Sequence, residues 1–237
     1  MWVQNYKKVP IVNNASEFEE CYVLYLDVLG FGAEVQEADE SRMNNLLDFL
    51  KGLHGGSKKI SKNRKSTTIS VLSDSIIVSL PCKDGKFGVV VVNAIFFQNA
   101  LLYAQGFLTR GYISKGMFFH KDGVIFGKPL VTAVTEEKKI GNYPYIFIDP
   151  VIAQNETDVR DRLLKSCGSV SPEWYVDFLN NSEPFLNDKR MTRDEYKAYC
   201  LELAKENKSK HRSCEKSKNV FEKWSKFESY VNETFQA

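Results

Sequence analysis

The run Tyr22-Val23-Leu24-Tyr25-Leu26-Asp27-Val28-Leu29-Gly30-Phe31-Gly32 constrains the fold more than any other stretch. It is apolar, β-type and of strand length over 21–31, and it places one carboxylate where the strand ends and a glycine-bearing turn begins. A second apolar run, Thr68 to Leu80, is broken once, at Ser73-Asp74-Ser75. That break reads as the tight turn of a β-hairpin with Asp74 at its tip.

If the two elements lie side by side, two carboxylates meet at one end of a sheet. This is the minimum apparatus for holding Mg²⁺ against a nucleoside triphosphate, because Mg²⁺ is usually bound by one or two carboxylates plus substrate phosphates.

The 237 residues suffice for one or two domains with a sizeable core. A net charge of +2, from 32 basic and 30 acidic residues, argues against a nucleic-acid partner for the molecule as a whole. Met1 to Lys8 lacks the apolar core and cleavage site of a signal peptide. No apolar run approaches the roughly 18 residues that span a bilayer, so a cytoplasmic protein with no membrane insertion is expected. Cys21, Cys82, Cys167, Cys200 and Cys214 are scattered, with no C-x-x-C pair and three histidines in the chain. Reduced thiols are expected rather than zinc or a disulfide framework.

Between the two carboxylate-bearing runs, Met43, Leu46, Leu47, Leu50 and Leu53 recur at helical spacing, predicting a helix over 41–53. His54 to Lys65 reads as a glycine-led basic loop, more simply solvated than phosphate-binding, since no aromatic residues interleave with its charges. Residues 88–105 form a helix apolar around nearly its whole circumference, hence buried on several sides or at a subunit interface. A second hairpin runs from Leu108 to His120, turns at Lys121-Asp122-Gly123 and returns over Val124 to Gly127; Asp-Gly is a strong hairpin signal. A short helix from Pro129 to Ile140 and a strand from Tyr145 to Ile148 follow.

Helices recur between strand elements, and hairpins supply antiparallel pairs. This order predicts a ferredoxin-like α+β sheet with helices on one face. Beyond it, Val159 to Ser166, Pro172 to Leu179, Thr192 to Lys205 and Val220 to Phe235 read as helices, the third with a Thr192/Glu195 capping box. The chain divides into 1–153, a core, and 154–237, a helical extension expected to pack on the core or on a second subunit.

Tyr25 to Phe31 resembles the first-strand metal motif of class III nucleotidyl cyclases, and Leu72-Ser73-Asp74-Ser75 resembles their second metal motif, with Ser73 where glycine is usual. Arg110 to Gly116, followed by Phe126-Gly127-Lys128-Pro129-Leu130-Val131-Thr132-Ala133, is similar to the family's later hairpin and helix. The resemblance covers about 21–153. In general appearance it is nearest to the pyrimidine nucleotide cyclases of bacterial anti-phage (Pycsar) systems. It implies a cyclase core that converts a pyrimidine ribonucleoside triphosphate, UTP before CTP, to the 3′,5′-cyclic monophosphate. The product would be a second messenger sensed by a separate effector.

The same resemblance implies two Mg²⁺ or Mn²⁺ ions per active site, on Asp27, Asp74 and the Val28 carbonyl, with Asp27 and Asp74 the catalytic residues. It also implies a homodimer whose sites are completed by both chains. Backbone N–H groups of Leu29, Gly30, Phe31 and Gly32 are candidate triphosphate ligands. Arg110, Lys115, Lys138 and Lys139 are candidate cations, Arg110 equally a salt-bridge partner across the sheet and Lys115 more simply a solvated strand residue. Ser70 and Val124 fall at the base-reading positions, where adenine-selective members carry lysine and aspartate; Ser70 is otherwise an ordinary strand hydroxyl.

Val131 and Thr135 stand where the family's ribose-orienting asparagine and transition-state arginine would fall, which motivates a rival reading as a degenerate nucleotide- or partner-binding module. His54 and His120 read as loop residues, and His211 as part of a solvated basic run.

Overall fold

The computed structural model describes residues 17–61, 67–139, 143–166, 174–211 and 218–235, with the backbone alone for 54–61. Strands β1 (Glu19–Val28), β2 (Thr68–Leu72), β3 (Ser75–Pro81) and β4 (Thr109–Lys121) lie in the order β2-β3-β1-β4, all antiparallel, which is the predicted ferredoxin-like arrangement. Strand β5 (Val124–Gly127) returns along β4, through a turn in which Asp122 and Gly123 have φ of 53° and 78°. These are the left-handed values a two-residue Asp-Gly turn requires.

The sheet then continues through β6 (Ile146–Ile148), parallel to β4, then β8 (Trp174–Val176) and β7 (Leu164–Ser166), both antiparallel additions. Two segments expected as helix are therefore partly strand. Residues 157–163 do form a helix, α6 (Thr157–Leu163), but 164–166 and 174–176 join the sheet edge. Tyr175 there pairs with Phe147 and stacks on Tyr145 at 4.3 Å between ring centroids. Three-residue strands are too short for alternation to show, whereas Trp174, Tyr175, Phe178 and Leu179 mimic helical spacing.

Side chains alternate across β1. Tyr22, Leu24, Leu26 and Val28 face the main core, built with α2 (Glu40–Ser61) and α3 (Phe87–Gln105); Cys21 and Val23 face a second, smaller cluster with Ile77 and Phe118. Leu130 of α4 (Lys128–Lys139) packs on that second cluster, so this helix lies across the opposite side of the sheet from α3, and the expectation of helices on one face is corrected. Helix α2 runs through Gly55 and Gly56 to Ser61, so most of the expected basic loop is helical backbone; residues 62–66 lie outside the described residues. A glycine costs a helix only about 1 kcal/mol, which the neighbouring turns outweigh.

Helix α3 is, by length and composition, apolar enough to cross a membrane, which corrects the reading that no run approaches that length. In the fold, 67% of that window is buried. Inside it, Asn99 donates to the Phe178 carbonyl at 3.2 Å and accepts from the Tyr196 hydroxyl at 2.6 Å, pinning α3 to α8 (Arg193–His211). Helix α8 begins with the predicted capping box: Glu195 accepts from the Thr192 N–H at 2.8 Å and its own N–H donates to Thr192 Oγ1 at 3.2 Å. Helix α9 (Lys218–Phe235) buries Trp224, Phe227, Tyr230 and Val231, and the Tyr230 hydroxyl donates to Asp177 Oδ1 at 2.5 Å. Residues of α8 and α9 belong to the same hydrophobic cluster as β1 and α3.

Candidate active site at the end of the first strand

Odd-numbered residues of β1 point to the α4 side, which is where Asp27 finds its neighbours. In register it lies between Ser75 of β3 and Arg110 of β4. The β2–β3 turn is tied to the same place, because the Val28 N–H donates to the Asp74 carbonyl at 2.8 Å. Ser73 takes the left-handed conformation of that turn, φ 55°, which explains why a glycine would be at home there. Burial raises the Asp27 carboxyl above its usual range, Arg110 opposes this, and the Asp74 charge raises it further, so the two carboxylates sense each other. Asp74, 47 residues beyond Asp27 in sequence, thus has its backbone fixed beside the end of β1.

Arg110 Nε donates to Asp27 Oδ2 at 3.1 Å and also pairs with Glu137 of α4. Glu137 lies on the buried row Pro129, Ala133, Glu137, with its side chain 2% exposed. Burial raises its carboxyl, and Arg110 counteracts this. Sequence reasoning missed Glu137 because Glu136-Glu137-Lys138-Lys139 looks like a solvated run; the i, i+4 continuation of Pro129 and Ala133 is the signal that it faces inward.

A second missed residue is Lys223 of α9. It is half-buried, its ammonium pKa is lowered by burial and then by Arg110, and the charges of Asp27 and Glu137 act on it in the opposite sense. It lines a cavity of about 600 Å³ that also touches Leu29, Gly30, Arg42, Phe107 and Lys210.

The other candidates divide. Gly30, with φ 82°, precedes α1 (Phe31–Glu37), whose start carries no side-chain cap. The Leu29 N–H is already spent on the Leu108 carbonyl at 2.9 Å, which removes it as a phosphate donor. Phe31 is buried against Phe107, and Gly32 is exposed.

Lys115 pairs in register with Tyr22, five residues along β4 from Arg110; its ammonium lies over the Tyr22 ring and 3.4 Å from Glu20, so within one chain it is not part of the Asp27 cluster. Lys138 and Lys139 are exposed, the latter paired with Glu136 at 2.7 Å. His120 is a strand residue rather than a loop one. Its Nε2 lies 2.8 Å from Ser70 Oγ and its Nδ1 2.8 Å from Ser79 Oγ, and burial lowers its pKa to about 4. Val131, Thr135 and Val124 are exposed, and the Thr135 hydroxyl donates back to the Val131 carbonyl at 2.7 Å.

Among the described residues no group of three or more histidine, cysteine, aspartate or glutamate side chains could hold a metal by itself. Two carboxylates and a backbone carbonyl nonetheless fit a hard divalent cation, which takes oxygen donors and leaves positions for substrate phosphates and water.

No family model matches the chain, and no curated protein does. Solved structures similar to it include the guanylyl cyclase Cya2, at 14% identity and a TM-score of 0.46 over 68% of this chain and 92% of that one. The adenylyl cyclase CyaB from P. aeruginosa is 14% identical, with a TM-score of 0.49 over 67% and 94%. The guanylate cyclase domain of RhGC from Catenaria anguillulae, in complex with GTP, is 13% identical, with a TM-score of 0.46 over 67% and 96%. At such identities the likeness is one of chain trace and assigns no residue a role.

Proposed function

We propose that the chain is a nucleotide cyclase of the class III type, acting on a pyrimidine ribonucleoside triphosphate, with UTP favoured over CTP. The observation that carries this reading is the convergence of Asp27 and Asp74, from separate elements, beside Arg110 at one sheet end. In the reaction the ribose 3′-oxygen attacks the α-phosphorus, the bond to the β-phosphate oxygen breaks, and pyrophosphate leaves. Mg²⁺ or Mn²⁺, two per site, would lower the pKa of the 3′-hydroxyl and neutralise charge on the α-phosphoryl and leaving oxygens.

Asp27, Asp74 and the Val28 carbonyl would hold the cations. Arg110, fixed by Glu137, would keep the Asp27 carboxylate oriented toward the site. The backbone N–H groups of Gly30, Phe31 and Gly32, at the entry to α1, would bind the triphosphate. Ser70 and Val124 would read the base, where adenine-selective members carry lysine and aspartate; the Ser70 hydroxyl lies 2.8 Å from Nε2 of a His120 that burial keeps neutral. Completion of the site by a second copy is supported by the exposed apolar side chains Met117, Val124, Phe126 and Val131 on the β4–β5 hairpin and α4. On the same reading, the cyclic product is a cytoplasmic second messenger of anti-phage defence, sensed by a separate effector.

The test is incubation of the purified protein with Mn²⁺ or Mg²⁺ and each of the four ribonucleoside triphosphates, followed by separation of products. A cyclic pyrimidine nucleotide and pyrophosphate are expected, and both vanish in Asp27→Ala and Asp74→Ala. No product from any triphosphate, with the dimer intact, would instead favour a nucleotide-binding module without turnover.

A further inference from the structure

Helix α9 lies outside the stretch that resembles a cyclase, yet it brings Lys223 into the electrostatic neighbourhood of Asp27, Arg110 and Glu137. The cavity that Lys223 lines begins at Leu29 and Gly30, the residues that directly follow the carboxylate-bearing strand. Its other permanently charged side chains are paired or exposed. Arg42 is committed to Glu34 at 2.5 Å and to Gln105 at 2.7 Å. Glu37, Glu206 and Lys210 are exposed. Lys223 differs from these, because it is half-buried and makes no hydrogen bond or ion pair with any described residue.

An ammonium withdrawn from water without an anion within contact is costly, and a fold gains nothing from it unless an anion arrives. The charge count points the same way. Asp27, Asp74 and Glu137 carry three negative charges against one on Arg110, so a tetra-anionic triphosphate with two divalent cations would still leave an excess of negative charge without a further cation.

We propose that Lys223, delivered by the C-terminal helix, binds the β- and γ-phosphates of the triphosphate and holds the charge that develops on the leaving pyrophosphate. This rests on the cyclase reading and extends its substrate-binding site to residues 218–235. Lysine suits the task because its point charge follows a leaving group without demanding a fixed geometry.

The test uses the full-length chain with Mn²⁺, titrated calorimetrically with 3′-deoxy-UTP and 3′-deoxy-CTP, which lack the attacking hydroxyl, and with UMP and CMP. Lys223→Met keeps the length of the stem and is expected to fold with an unchanged or higher Tm. It should weaken triphosphate binding about 10- to 100-fold, the scale of one charge-assisted contact, while leaving monophosphate binding unchanged. Lys223→Arg should recover most of that loss, and kcat/KM should fall and recover in parallel. Wild-type turnover with the same triphosphate affinity in Lys223→Met would overturn this proposal and leave the cyclase reading standing. A wild-type chain that neither binds nor converts any triphosphate removes both.

Discussion

Arg110 is the joint on which the site turns, and replacing it by methionine tests the electrostatic account directly. At 3.1 Å, and with an effective dielectric constant of about 20, the gross attraction between Arg110 and Asp27 is about 5 kcal/mol, most of it offset by the desolvation of both groups. What the substitution leaves behind is a larger problem. Glu137, 2% exposed, and Asp27, 18% exposed, become two buried carboxylates without their guanidinium. Breaking a buried pair in this way costs about 3–5 kcal/mol.

The cost should depend on pH, with a definite sign. Both carboxyls are already raised by burial in the native state. A carboxyl raised on folding contributes stability below its unfolded value, near 4, and that contribution is lost as pH rises through the folded value. Removing Arg110 takes away the influence that lowers both, so the window moves toward neutrality. Urea denaturation followed by circular dichroism should therefore show Arg110→Met destabilised by about 3–5 kcal/mol at pH 7.5 and by at least about 1 kcal/mol less at pH 5. Equal losses at the two pH values, or a loss below about 1 kcal/mol at pH 7.5, would refute the reasoning.

Two further predictions follow from the same sheet. A Cβ at Gly111 would lie 2.2 Å from the Tyr25 carbonyl oxygen and 3.1 Å from a Leu26 methyl, so Gly111→Ala must push β1 from β4 beside Asp27. It should cost more than about 3 kcal/mol and lower Tm by roughly 6–12 °C; a Tm within 2–3 °C of wild type in a calorimetric scan would contradict the packing described. His120, lowered by burial from 6.5 to about 4, binds its proton more readily when unfolded. The stability this gives is complete above about pH 6.5 and is lost as pH falls toward 4, up to about 3 kcal/mol in all. His120→Gln should flatten that slope in denaturant titrations; an unaltered slope would place the acid sensitivity elsewhere.

The parts of the site that sequence reveals are those written in local periodicity. Asp27 is legible because an apolar β run stops at a glycine turn, and Asp74 because its run is interrupted once, at a spacing that only a hairpin explains. Glu137 and Lys223 carry no such mark. Each belongs to an amphipathic helix in which charged residues normally face water, and only the docking of α4 on β1 and β4, or of α9 beside the end of β1, turns them inward. Lys115 shows the reverse, since its place in a motif-like stretch suggested a role that the register with Tyr22 removes within one chain. The short strands β7 and β8 were hidden because pairing partners far away in sequence, Phe147 above all, decide that Tyr175 is extended.

The Tyr145, Tyr175 and Phe178 rings that close one end of the sheet are covered by Tyr230 of α9. During synthesis on the ribosome this aromatic floor stays open to water until residues 218–235 have emerged, so the sheet edge at β6 and β8 stays unsealed until α9 docks. The late segment thereby acts as a latch on assembly. A ribosome stalled short of it would hold a partly collapsed chain with a sticky aromatic surface, the state that chaperones recognise.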